Sequence, residues 1–399
     1  LARAENSVQT TDAIEDLNVK LEKNYGPRVT AYKNLALAVA DASIEEYARS
    51  LEALRKATAS PKSTPTEPRF LARVAWQHLQ RGALADAANY RKPIAWYGKS
   101  KPEDDPVVKL FDAGLDLAGG LPSKAFDKAA KLAGVRPDIV RAYALLDTGK
   151  AKDAVAEVED ALKKAPDNLE AQIVHEWARM VAAADAKNDK DKSAAADALE
   201  KLARKAKTKL GRHALGMAYY QIGDFKNAQP ALEQALAEIS DEEPNPLSYR
   251  TRTALADILL SNNDAAGAEK QLDQALDPAT GNSGYFPARA MQAKLVLKGG
   301  DPDKALDLLG PLTKEDGAMT PSSELTLAEA LCTHKKPAPT TKDKADAEAI
   351  LTDIKDKIQP PTEVGRVAAT CDPKLPEKLG VPAGEGAPKP AGSTHHHHH

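Results

Sequence analysis

The sequence predicts an all-α protein, a stack of antiparallel helical hairpins, on three observations. Apolar residues recur at three- and four-residue steps along nearly the whole chain, the spacing of one helical face. Short turns of similar form interrupt that period: Gly82-Ala83, Gly149-Lys150, Gly223-Asp224, Asn263-Asp264 and Gly300-Asp301. Aromatics make up only 5% of the 399 residues, so the core must be built from Ala, Leu, Val and Ile, which suits close-packed helices better than a β-sandwich.

In chain order, residues 12–25 carry Ile14, Leu17, Leu21 and Tyr25 on one helical face. Ser43 with Glu46 reads as a capping box ahead of Tyr47, Leu51 and Leu54. The stretch SPKSTPTEP, residues 60–68, reads as a loop. Helical segments of about a dozen residues then alternate with the short turns. Residues 168–207 form a longer hairpin with a highly charged loop near Asn188 to Lys192. Residues 315–336 read as a capping helical segment, and residues 343–358 as an amphipathic helix through Ala347, Ile350, Leu351, Ile354 and Ile358. From Pro360 onward the density of Pro and Gly predicts an irregular tail, ending in the affinity tag His395–His399.

Four to five residues after most turns stands an Ala: Ala87, Ala125, Ala154, Ala228, Ala268 and Ala305, with Ala195 a weaker member. The mean interval is about 36 residues, in the range of helical repeats. Twelve residues before each strong Ala lies another small residue, in turn Ala75, Ala113, Ala142, Gly216, Ala256 and Ala293. A third often follows after seven, as at Ala161, Ala235 and Ala275. Two antiparallel helices approach closely only where side chains at the crossing are small. The first small residue is expected to face the Ala of its partner helix, so that Gly216 meets Ala228, and the third to face the next hairpin. A single hairpin cannot bury both its apolar faces, so hairpins must stack.

Leu215, Gly216, Tyr219, Gly223, Asp224, Ala228 and Ala235, within LGMAYYQIGDFKNAQPALEQAL, resemble a tetratricopeptide repeat. Ala142, Gly149, Ala154, Ala161 and Pro166 resemble it less fully, and weaker units extend the likeness over residues 69–314. The bulky residue the family carries early in each first helix is mostly absent, with Arg212, Arg289 and Ile139 near that place. The resemblance implies a right-handed α-solenoid of about eight or nine hairpins. The domain division expected is 1–31 N-terminal helix and linker, 32–314 repeat array, 315–359 capping helices and 360–399 tail.

The chain carries no G-x-S-x-G, P-loop, H-E-x-x-H or dinucleotide fingerprint, so no catalytic residue, metal ligand or cofactor is assigned. Outside the tag the histidines are His78, His175, His213 and His334; the first two sit beside Trp76 and Trp177 and read as structural. Cys332 and Cys371 suffice for one disulfide, which would point outside the cytoplasm, or for two unrelated thiols. The net charge of -3 carries no nucleic-acid signature, and no window approaches the roughly 18 to 20 apolar residues that span a bilayer. The basic run Lys201, Arg204, Lys205, Lys207, Lys209 and Arg212 reads as a solvated helix face or as a patch for an acidic partner.

The resemblance implies a groove lined by the first helix of each hairpin. The residues it places there are Trp76, Tyr143, Asp147, His213, Met217, Tyr220, Gln221, Asp257, Lys294 and Lys298. Aromatic and Met side chains beside polar ones suit adaptable recognition of a peptide or helix. The expected function is a non-enzymatic scaffold that binds another protein, with self-assembly as one alternative and a ligand-binding or enzymatic solenoid as another. The first residue is Leu1 rather than Met, so a mature fragment is expected, from which an upstream part has been removed. With the cysteines this points to the periplasm or another extracytoplasmic space, where related repeats help assemble pili, secretion, motility or cell-wall machinery; a cytoplasmic location is the alternative.

Overall fold

The computed structural model describes residues 23, 28–43, 47–59, 65, 67–80, 82, 84–97, 105–206, 209–238 and 245–384. The helix expected over residues 12–25 lies outside these apart from Lys23, as do most of the loop at 60–68 and Glu46 of the expected capping box; Ser43 ends the preceding helix. Every regular element among the described residues is a helix. In order they are α1 Arg28–Ser43, α2 Tyr47–Ala57, α3 Pro68–Gln80, α4 Leu84–Ala88, α5 Arg91–Tyr97, α6 Pro106–Gly119 and α7 Pro122–Ala129. Then come α8 Val135–Asp147, α9 Ala151–Lys164, α10 Leu169–Asp185, α11 Asp189–Ala206, α12 Lys209–Gln221, α13 Phe225–Ala237 and α14 Ser248–Ser261. The remainder are α15 Ala265–Ala275, α16 Phe286–Lys298, α17 Pro302–Lys314, α18 Pro321–Thr333, α19 Thr341–Ile354, α20 Pro361–Cys371 and α21 Leu375–Leu379.

The turns between paired helices share one geometry. Gly223 has φ +81°, its N–H bonds the Tyr220 carbonyl at 3.0 Å, and the Asp224 N–H bonds the Tyr219 carbonyl at 2.9 Å. That pair of bonds closes a helix through a left-handed residue. The Asp224 side chain then accepts from the Asn227 N–H and starts α13. The same closure recurs at Gly149-Lys150, Asn263-Asp264 and Gly300-Asp301, and at Lys187-Asn188, where Lys187 takes φ +55°.

The small residues singled out by their spacing, Ala75, Ala113, Ala142, Ala256 and Ala293 with Ala87, Ala125, Ala154, Ala228, Ala268 and Ala305, are all fully buried. A Cβ on Gly216 would stand 2.6 Å from Leu232 Cδ2 and 3.1 Å from the Leu232 nitrogen, so Leu232, one turn beyond Ala228, packs against Gly216. Pro230 sits inside α13, which runs on through it to Ala237. Its missing N–H leaves the carbonyl one turn back, at Lys226, to solvent on an exposed face.

The chain divides into two compact units, one up to Ile258 together with Asp273–Tyr285, the other Leu259–Leu272 together with everything from Phe286. In the first, α8 pairs with α9, α10 with α11 and α12 with α13 around a core containing Ile139, Trp177, Met180, Leu199 and Leu232. In the second, α16 pairs with α17 and α18 with α19, and α17 packs directly on α18 across the boundary expected at residue 314.

The tail expected from Pro360 is corrected by the fold. Pro361 occupies the first turn of α20, where a missing N–H costs nothing. Val364, Val367, Ala368 and Cys371 form a buried stripe at helical spacing and share a core with Leu351 and Ile354 of α19. A Cβ on Gly365 would stand 1.8 Å from the Pro382 carbonyl oxygen, so glycine is what lets the returning chain close over α20. Cys371 Sγ is bonded to Cys332 Sγ of α18.

Candidate functional site

The first helices of three successive hairpins, α8, α10 and α12, together with α14, converge in the first unit, and their side chains bond to one another. Tyr143 OH on α8 donates to Glu170 Oε1 on α10 at 2.9 Å, and Glu170 also takes Arg136 at 2.8 Å. Burial raises the Tyr143 phenol well above its usual value, and the Glu170 carboxylate raises it further. The Trp177 indole lies edge-on to Tyr143 on one side and to His213 on the other, with centroids 6.0 Å apart in both pairs. Its Nε1–H donates to Gln221 Oε1 on α12 at 2.9 Å.

His213 Nδ1 stands 2.6 Å from Thr251 Oγ1 on α14. The same Thr251 Oγ1 lies 3.0 Å from the Leu247 carbonyl, so one hydroxyl ties the imidazole to the backbone at the start of α14. Burial, and then the nearby Arg250 charge, push His213 down from 6.5 to about 3, so the ring is neutral. One turn along α12 from Gly216, Tyr220 OH donates to Asp257 Oδ2 at 2.6 Å while its ring stacks on Phe225. Burial and the Asp257 carboxylate together hold the Tyr220 phenol protonated.

A link distant in sequence joins Arg250 on α14 to Asp147 at the end of α8, 103 residues apart. Burial draws the Arg250 guanidinium down, but Asp147, Tyr285 and Tyr249 more than offset it, and the group stays charged. Tyr249 and Tyr285 meet edge-on with centroids 4.7 Å apart. Burial pushes the Tyr285 phenol up to about 12.

Of the ten residues expected in a groove, the fold brings together Tyr143, Asp147, His213, Met217, Tyr220, Gln221 and Asp257. His213 and Met217 are buried, 2% and 8% exposed, and belong to the packed interior and not to an open groove. Trp177 lies edge-on to His213, in the same core that holds Met217. Tyr143, Asp147, Tyr220, Gln221 and Asp257 are half-buried and keep an accessible edge. Trp76 stands elsewhere, its ring against Gly114 of α6, where a Cβ would come within 2.5 Å. Lys294 and Lys298 lie on α16 in the second unit, where they add to the hold of Arg366 on the lowered Glu363 carboxyl.

Sequence reasoning missed Glu170, Arg250, Thr251 and Tyr285. Small-residue spacing selects one face of each helix, and nothing in it pairs residues from helices 103 positions apart. Among the described residues no group of three or more His, Cys, Asp or Glu side chains is placed to hold a metal ion, and no helix is long and apolar enough to cross a membrane.

Residues 213–283 match the family model described as Tetratricopeptide repeat. No curated protein matches the chain in sequence. Among solved structures, the chain is similar to a human IFIT1 dimer with PPP-AAAA, at 13% identity over 94% of this chain and 92% of that one, with a TM-score of 0.39. It is also similar to yeast Tom70, at 14% identity over 93% and 89%, with a TM-score of 0.37.

Proposed function

We propose, from an all-α, TPR-like helical-repeat protein with a tetratricopeptide repeat at residues 213–283, that this chain is a non-enzymatic scaffold that captures a partner protein on its first-helix face. The observation that carries the reading is the run of half-buried Tyr143, Tyr220, Gln221 and Asp257 on α8, α12 and α14. Each offers an apolar or polar edge while its other side is fixed by a neighbour, which lowers the entropy a partner must remove on binding.

Site-specific photo-crosslinking in native cells tests it. A photoreactive residue at Gln221 or Asp257 should give a discrete adduct, and one at exposed Glu233 on α13 should not. Adducts only from Glu233 would move the contact to the outer helices and sink the reading. Substituting Met217, by contrast, would report on folding, because that side chain is buried.

We further propose an extracytoplasmic location, in the assembly of a bacterial envelope, pilus, secretion or motility complex. The support is the Cys332–Cys371 bond, since disulfides persist in oxidising compartments. A thiol count on the unreduced protein should find none; two free thiols would remove this support. Self-association is the alternative use of the array, and a monomer in sedimentation at high concentration would end it.

A further inference from the structure

A cleft of about 370 Å³ opens between α9, α10 and α11, in the size range of side-chain and ligand pockets. Its apolar wall is Leu162, Ala198 and Leu202. Lys201 and Lys205 stand one turn apart on α11 at its rim, and both are exposed. Like charges at that spacing repel. The carboxylates nearby are already engaged: Glu176 with Arg179 at 2.7 Å, Glu159 with His175 at 3.4 Å, and Glu200 with Arg204 at 3.0 Å.

We propose that this cleft is a second docking site, for an acidic amphipathic helix of a partner protein. The apolar side chains of that helix sit against Leu162, Ala198 and Leu202, and carboxylates one turn apart meet Lys201 and Lys205. Charge complementarity selects this occupant: the wall takes any apolar anchor, but only an acidic flank relieves the two ammonium groups. None of its lining residues is among those proposed for partner capture on α8, α12 and α14, so it stands or falls on its own.

The test uses the full chain and a fluorescein-labelled helical peptide with two Leu one turn apart flanked by Glu. Anisotropy should show binding that weakens with salt. The double substitution Lys201→Glu with Lys205→Glu should weaken it by about tenfold or more. Ala198→Trp, which fills the cleft from a half-buried position, should do the same. The exposed control Lys152→Glu with Lys226→Glu should bind as the parent does. Equal binding of a peptide with Lys in place of Glu, equal loss in the control, or no loss in either cleft variant would overturn the proposal. So would self-association of the chain without peptide that Ala198→Trp abolishes, because the occupant would then be a second copy.

Discussion

The unit that ends at Ile258 ties its first helices together with hydrogen-bonded side chains, Tyr143 to Glu170, Trp177 to Gln221, His213 to Thr251 and Arg250 to Asp147. The unit that begins at Leu259 ties α18 to α20 with an apolar stripe and one bond between Cys332 and Cys371. Both bury small residues at the same repeat positions and use the same left-handed turn. Small residues thus set how near two helices come, while what fixes one hairpin to the next is chosen separately. Polar pairs demand defined geometry at both ends; a covalent bond acts chiefly by restricting the unfolded chain.

The largest expected effect tests the covalent side. Cys332 and Cys371 are 39 residues apart, and releasing a loop of that size costs about 4 kcal/mol on chain entropy. Cys332→Ser with Cys371→Ser should therefore expose α18 to α20 to limited proteolysis while α8 to α14 stay protected. Equal loss of protection in both segments would break the comparison.

Next comes the Arg250–Asp147 pair. Asp147→Ala leaves a largely buried guanidinium without its carboxylate, and the cost expected is about 3 kcal/mol, measured by urea unfolding. Replacing both by apolar residues, Asp147→Leu with Arg250→Met, should recover much of it, since no charge is then stranded. A double variant as unstable as Asp147→Ala would mean the pair positions the helices as well as neutralising itself.

His213 provides a pH test. Its folded value of about 3 lies below the unfolded 6.5, so between these limits the unfolded chain binds the extra proton and stability falls as pH falls. At pH 5 the loss relative to pH 7.5 is about 2 kcal/mol from this group. His213→Asn should remove that part of the slope. An unchanged slope would show that His213 is protonated in the fold or already shifted in the unfolded chain.

How much of this was legible follows from range. Gly149, Gly223, Asn263 and Gly300 could be read as turns because a left-handed residue and the cap after it are adjacent. The Ala positions were legible because their spacing lies within one hairpin. The packing of Leu232 against Gly216 was not legible, since small-residue spacing says nothing of the larger side chains at the same approach. The helix at Pro361–Cys371 was hidden by its prolines, although Val364, Val367, Ala368 and Cys371 carried the period. Arg250 and Asp147 could not be paired at all, because no local pattern links them.

The smallest effect sharpens what the two units share. Asn263 has φ +61° in the turn that starts α15, and Gly223 has φ +81° in the turn that starts α13. An ordinary L-residue pays about 1 kcal/mol or more there, while Gly pays nothing and Asn little. Asn263→Ala and Gly223→Ala should each cost about 1 kcal/mol, and Asn263→Gly should stay within about 0.5 kcal/mol of the parent. Nothing lies within 4 Å of a Cβ built on Gly223, so any cost at that site comes from the backbone and not from a clash. Matching losses for the two Ala variants would make the turn a common part, independent of how each unit joins its hairpins. A loss at Gly223 alone would mean that the side chain of Asn263 contributes nothing to holding the left-handed conformation.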